Sequence, residues 1–384
     1  MRTRIEELED SPIVDVWRMG FDIPDVIGLW AGEGDLPTPA FICDAAAAAL
    51  AAGQTFYTAN RGIPELRSAL ADYMAMLYGV RIADARIAVT SSGMNAVMVA
   101  AQALVEPGDN VVMVAPSWPN IARAVEIMGG EARMVPLASG NAGWRLDLDA
   151  LFAQCDGRTR AIYYASPGNP TGWVLERPQA EAVHAFARTR NIAILADEVY
   201  HRIIYDRPVA PSMLEIARPD DPVWVLNSFS KAWAMTGWRL GWAVYPAGQA
   251  NNIGKLVQFN TSGGPGFLQM GAVAALRDGE PFVREFVARC RAGRDLVEGR
   301  LGALPRVRVT PSQAAFYTMF AVDGMADTLG FCKRAVREAR VGLAPGMAFG
   351  GGADGQIRLC YARSLASLET AMDRLEEFIG SYRE

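Results

Sequence analysis

The chain has 384 residues, 51% hydrophobic and 21% charged, with 37 basic against 42 acidic side chains and a net charge of −5. That length suits two ordinary domains rather than one, and the composition is that of a soluble protein with a large core. Scattered arginines without a basic block or zinc pattern argue against nucleic-acid binding, and no apolar run is long enough to span a membrane.

In chain order, the N-terminal "MRTRIEELEDSPIVDVW" is charged and lacks the apolar centre of a signal peptide. Residues 1–50 show few strand signals and are expected to pack on the second domain. From about residue 86 to 245, the apolar runs "RIAVT", "VVMVA", "ARMVPL", "AIYYAS", "IAILAD", "VWVLNS" and "LGWAVY" alternate with helical patterns such as "MNAVMVAAQALV" and "RPQAEAVHAFARTR". Strands apolar throughout and separated by helices predict a mainly parallel sheet covered on both faces, in a large domain at 51–280. A long helical region follows, from "FLQMGAVAALRD" to "DLVEGRLGAL". The patterns "VRVTPSQAAFYTMFAV", "ADTLGFCKRAVREA" and "QIRLCYARS" and a closing helix "SLETAMDRLEEFIGSYR" then predict an α+β domain at 281–384.

The five cysteines, Cys43, Cys155, Cys290, Cys332 and Cys360, are odd in number and far apart, which points to reduced thiols in a cytoplasm. With only His184 and His201, a histidine-rich metal site is excluded. No G-x-S-x-G elbow accompanies either one, so both read as structural.

In an open α/β sheet, ligands bind beyond the carboxyl ends of the strands. There the sequence places Ser91-Ser92-Gly93-Met94-Asn95, Pro116-Ser117-Trp118, Pro167-Gly168-Asn169-Pro170-Thr171-Gly172, Asp197-Glu198-Val199-Tyr200 and Ser228-Phe229-Ser230-Lys231. Singly these read as a cap, a core tryptophan, a turn and an N-cap. Lys231 is less easily dismissed. Only three of the 37 basic residues are lysines, the others being Lys255 and Lys333. Lysine, unlike arginine, can give up its proton and become a nucleophile. Jointly the strand ends offer backbone N–H groups for a phosphate, a stacking face, a carboxylate for a protonated ring nitrogen, donors for a ring oxygen and an amine for an aldehyde. Pyridoxal phosphate has all of these parts.

The stretch "SFSKAWAMTGWRLGW", with "SPGNPTG", "ADEVY", "APSWPN", "GEGDLPTP", "FYTANRGIPELRSALA" and "QIRLCYARS", resembles the class I/II pyridoxal-phosphate aminotransferases of fold type I, the aspartate aminotransferase superfamily. The resemblance covers essentially the whole chain. It implies an α/β fold with a mainly parallel large domain, a smaller α+β domain, and a homodimer with shared active sites acting on amino and 2-oxo acids. Carried over by motif, the Schiff-base lysine falls on Lys231. Phosphate contacts fall on Ser228, Arg239 and the Ser92-Gly93 turn next to Met94, and on Tyr57 from the neighbouring subunit. The ring-nitrogen carboxylate falls on Asp197, the ring-oxygen donors on Asn169 and Tyr200, and the stacking aromatic on Trp118. The substrate carboxylate falls to Arg358 and the Gly32 N–H, with Arg363 the lesser candidate.

The sequence also departs from acidic-substrate relatives. Met94 and the uncharged "QFNTSGGPGF" stand where those relatives carry a cation for a second carboxylate. An apolar or aromatic donor is therefore expected, with Trp30, Trp118, Met94, Phe316 and Tyr317 as candidate walls. A carbon–sulfur β-lyase on the same scaffold is the alternative reading. A regulatory domain lacks room for a DNA-binding appendage, and "VTSSGMN" is no dinucleotide fingerprint.

Overall fold

A computed structural model describes residues 1–383. Seven strands form one sheet: β1 (Ile87–Thr90), β2 (Asn110–Ala115), β3 (Glu131–Pro136), β4 (Thr159–Ala165), β5 (Ala193–Asp197), β6 (Val223–Ser228) and β7 (Gly241–Val244). Their spatial order is β1-β7-β6-β5-β4-β2-β3. Only β7 runs antiparallel to its neighbours. All seven coincide with the apolar runs in the sequence.

These strands lack apolar–polar alternation because both faces are buried. Val112, Val114, Ile162, Ile194 and Val225 belong to one core, while Val111, Met113, Leu195, Trp224 and Leu226 belong to a second on the opposite face. The helix Gly93–Leu104 opens directly after β1 with Ser92 as its N-cap, the serine Oγ accepting from Asn95 N at 2.9 Å.

The long helical region is two helices, Gly266–Asp278 and Glu280–Gly302. Pro281, in the first turn of the second helix, cannot continue the first. Beyond them, a four-stranded antiparallel sheet takes the order Val307–Thr310, Tyr317–Val322, Ile357–Cys360, Ala344–Pro345. The helices Glu280–Gly302 and Leu365–Ser381 supply residues to its core.

The first fifty residues reach both sheets. Ile27–Gly28 pairs in parallel with Val341–Gly342 beside the small sheet. Arg2 and Arg4 instead donate to carbonyls of Ile127 and Glu126 by the large one, and Ile42 joins the core of the large sheet.

Trp30 follows Ile27–Gly28 and packs its indole against Gly20, Gly28 and Gly342. A Cβ at any of the three would press into the ring, so these positions must be glycine while Trp30 stays where it is.

Candidate active site

A cavity of roughly 290 Å³ opens at the carboxyl edge of the large sheet, facing the small one. The Ser92–Gly93 turn forms one wall. A Cβ at Gly241 would lie 2.6 Å from Gly93 N, so the glycine starting β7 lets this turn lie flat against the sheet. Beside the turn, the Ser228 hydroxyl donates to Ser230 Oγ at 2.9 Å. Arg239 holds a left-handed backbone (φ 52°), a costly conformation for a side-chain-bearing residue and one that recurs at functional sites. Its Nη1 donates to the Thr236 carbonyl at 2.7 Å, and among the described residues no carboxylate pairs with it.

Asp197, at the end of β5, is 7% exposed and forms no ion pair among the described residues. Tyr163 OH donates to its Oδ2 at 3.0 Å, and Val199 N to its Oδ1 at 3.2 Å. Burial pushes its carboxyl up to about 6, against the pull of those two hydrogen bonds. Lys231 lies on the other side of the charge balance. Burial lowers its amine to about 8, and its Nζ donates to the Gly32 carbonyl.

Arg358 comes from the small sheet. Its Nη1 donates to Asn169 Oδ1 at 2.9 Å and its Nη2 to the Trp30 carbonyl, while its buried Nε has no hydrogen-bond partner among the described residues. Because Asn169 accepts through its oxygen, its amide N–H groups remain for another acceptor.

The cavity therefore gathers Gly32, Gly93, Met94, Trp118, Asn169, Asp197, Tyr200, Ser228, Lys231, Arg239 and Arg358, with Ser92 adjoining. Tyr57 is not among them and is 95% exposed. Arg363 lies elsewhere, donating to the Gly28 carbonyl at 2.8 Å. Phe316 is buried behind Tyr200, edge-on to its ring. The histidines stay outside the cavity. His184 pairs with Asp221 at 2.9 Å, and His201, held neutral by burial with its pKa near 3, meets Tyr73 OH at 3.0 Å. Ile13, Ala31 and Ala165 line the cavity without having been singled out in the sequence. Ile13 lies on an N-terminal helix, Pro12–Asp22, whose pattern reads as an ordinary amphipathic surface helix.

The family described as "Aminotransferase class I and II" matches residues 24–375. The chain belongs to that family. An aspartate aminotransferase of Pyrococcus horikoshii is 33% identical over 377 residues, covering 97% of this chain and 96% of the relative. An aromatic-amino-acid aminotransferase of Thermococcus litoralis is 32% identical over 380 residues, covering 98% and 97%. The solved alanine aminotransferase of Pyrococcus furiosus superposes with a TM-score of 0.93 at 26% identity, covering both chains fully. This class I/II aminotransferase is a pyridoxal-phosphate-dependent enzyme of fold type I.

The cavity fits the cofactor. A buried carboxylate with no cation of its own, a lysine amine held well below its usual range and an arginine free of carboxylate partners are what a protonated ring nitrogen, an aldehyde and a phosphate require.

Proposed function

We propose that this aminotransferase takes a neutral apolar or aromatic L-amino acid as donor and a 2-oxo acid as acceptor, in alternation, as a homodimer in the cytoplasm. Pyridoxal phosphate, when bound, supplies an aldehyde for the amine and a protonated ring that takes up electrons as the Cα proton leaves.

The roles of the chain's own residues follow from chemistry. Ser228, Arg239 and the N–H groups at the Ser92–Gly93 turn hold the phosphate. Asp197 keeps the ring nitrogen protonated. Asn169 and Tyr200 donate to the ring oxygen, and Trp118 offers its face to the ring beside Met94. Arg358, with its free Nε–H, takes the substrate α-carboxylate in a bidentate pair, helped by the Gly32 N–H. With the cofactor bound, Lys231 would release the Gly32 carbonyl and, as a neutral amine, would serve as the general acid–base that moves the Cα proton. Domain limits at 51–280 and 281–384, with the first fifty residues joining the two, are part of the same proposal.

The donor reading rests on one observation. The only cations lining the cavity among the described residues are Lys231, Arg239 and Arg358, each with another duty, while Ile13, Met94 and Val199 offer apolar surface. Arg61 is not spare either, since its Nη1 donates to the Asp84 and Ile87 carbonyls. A second carboxylate buried without a cation costs several kcal/mol. With one common acceptor, kcat/KM for leucine, methionine or phenylalanine is expected to exceed that for aspartate and glutamate by at least tenfold, about 1.4 kcal/mol. A tenfold preference for aspartate would mean that a cation from elsewhere enters the pocket, and would overturn the reading.

Exposed aromatics support the homodimer. Phe56 and Tyr57 are 85% and 95% exposed, and Phe259 is 82% exposed. The segments that carry them are tied together, Thr58 Oγ1 donating to the Gly264 carbonyl at 3.0 Å. Exposed aromatic clusters of this kind mark protein–protein contacts. Tyr57 does not line its own chain's cavity, which agrees with assigning it to a neighbour's phosphate site. Mixing Tyr57→Phe with Lys231→Ala subunits is expected to give hybrids with one site carrying both lesions and one carrying neither. Their activity should exceed that of either parent, and hybrids no better than the parents would count against shared sites.

The cytoplasmic assignment draws on five free cysteines. Among the described residues, no helix is long and apolar enough to cross a membrane.

A further inference from the structure

The cavity contains a second tyrosine that none of these roles uses. Tyr317 is buried yet lines the cavity, and its hydroxyl lies 2.6 Å from that of Tyr200. The Arg358 guanidinium lies over its ring, with Cζ 4.5 Å from the centroid. Strand register explains both contacts. Tyr317 pairs with Cys360 and Met319 with Arg358, so these four side chains share one face of the small sheet.

We propose that Tyr317 is a positioning residue that joins the ring-oxygen donor, Tyr200, to the carboxylate-binding Arg358. The inference rests on the roles given above to Tyr200 and Arg358. A phenol carries one proton. If Tyr200 gives its proton to the cofactor's ring oxygen, Tyr317 must be the donor within the pair. A hydrogen bond received by Tyr200 polarises its own O–H and makes it the stronger donor. A stronger donor favours the ionised ring oxygen.

The ring of Tyr317 does a separate task. Arg358 sits between the Tyr317 and Phe349 rings, 4.5 and 4.8 Å from their centroids. The guanidinium is thus aligned by aromatic faces and not by a carboxylate, which would compete with the substrate. The fit is tight, because a Cβ on Gly32 would collide with the Tyr317 hydroxyl. The titratable groups that face the pair are Arg358, Cys360, Glu33 and Lys231, whose Nζ is 5.8 Å from the Tyr200 ring centre. All of them persist in the variants below, so a difference between variants belongs to the hydroxyl or the ring.

The test is a spectrophotometric pH titration of the cofactor-loaded enzyme, alongside steady-state kinetics. Tyr200→Phe is expected to raise the pH of the absorbance transition by about one unit or more, the size of a lost hydrogen bond to a charged group. Tyr317→Phe, which keeps the ring and drops the hydroxyl, should raise it by about half a unit, a second-order effect through Tyr200, and leave the donor KM within about twofold. Tyr317→Leu should add a rise in donor KM of about fivefold or more as the aromatic face is lost. If Tyr200→Phe shifts the transition and Tyr317→Phe does not, the inference is overturned. If Tyr200→Phe itself produces no shift, the role given to Tyr200 fails and the inference falls with it. If Tyr317→Leu does not fold, the Tyr317→Phe titration still decides. A donor KM unchanged in a folded Tyr317→Leu overturns the link to Arg358.

Discussion

Replacing Lys231 by alanine is expected to lower turnover by at least about 10⁴-fold, the upper range of a lost general acid–base, and to leave the fold intact. The amine makes a single hydrogen bond, to the Gly32 carbonyl, and no ion pair among the described residues. Its pKa is about 8 in the fold against 10.5 in the open chain, so the fold disfavours the charged amine. That penalty is fully present below pH 8 and disappears as pH rises towards 10.5. At pH 7, cofactor-free Lys231→Ala should therefore melt no lower than the cofactor-free wild type, which calorimetry can check. Borohydride reduction of the loaded wild type should leave the cofactor's mass on the peptide containing Lys231. Recovery of that label on Lys255 or Lys333 would defeat the assignment.

Asp197→Asn carries the second large effect. Removing one partner of a buried charge pair costs about 3–5 kcal/mol, which corresponds to roughly 10²- to 10⁴-fold in the rate of Cα proton transfer. The cofactor should remain bound through its phosphate contacts, so a single-turnover absorbance measurement isolates the chemical step. A half-reaction at near-normal rate would contradict the role. The cofactor-free variant should behave in the opposite sense. Asp197 has a pKa of about 6 in the fold against 3.8 in the open chain, so its ionised form destabilises the cofactor-free fold above pH 6. The stability cost is absent below about 3.8. Asparagine removes it, and cofactor-free Asp197→Asn should be more stable than wild type at pH 8 but not at pH 3.

The seven strands of the large sheet were legible because burial on both faces writes itself as unbroken apolar runs. That residues at their ends would gather at one cavity was legible because each lies at or just beyond its strand: Asp197 ends β5 and Lys231 comes three residues after β6. What the sequence hid depends on register and on distance along the chain. "AFYTMF" reads equally well with Tyr317 in the core or in the cavity. Only its pairing opposite Cys360 turns it towards Arg358. Ile13 carries no motif, and its helix packs beside the edge strand Ala344–Pro345 of the small sheet, a contact distant in sequence. Trp30 was expected as a wall and does line the cavity, but its packing against three glycines was not readable from the sequence. The limits of the first fifty residues were unreadable for a related reason, since their contacts divide between two sheets far apart in sequence.

The packing of Trp30 has a mechanical meaning. Gly20, against which the indole rests, belongs to the same helix as Ile13 at the cavity wall. The carbonyl of Trp30 is the seat of Arg358 Nη2. One indole thus fastens the helix that carries Ile13 to the seat of Arg358, so that an apolar wall of the cavity and its guanidinium are set against a single gauge.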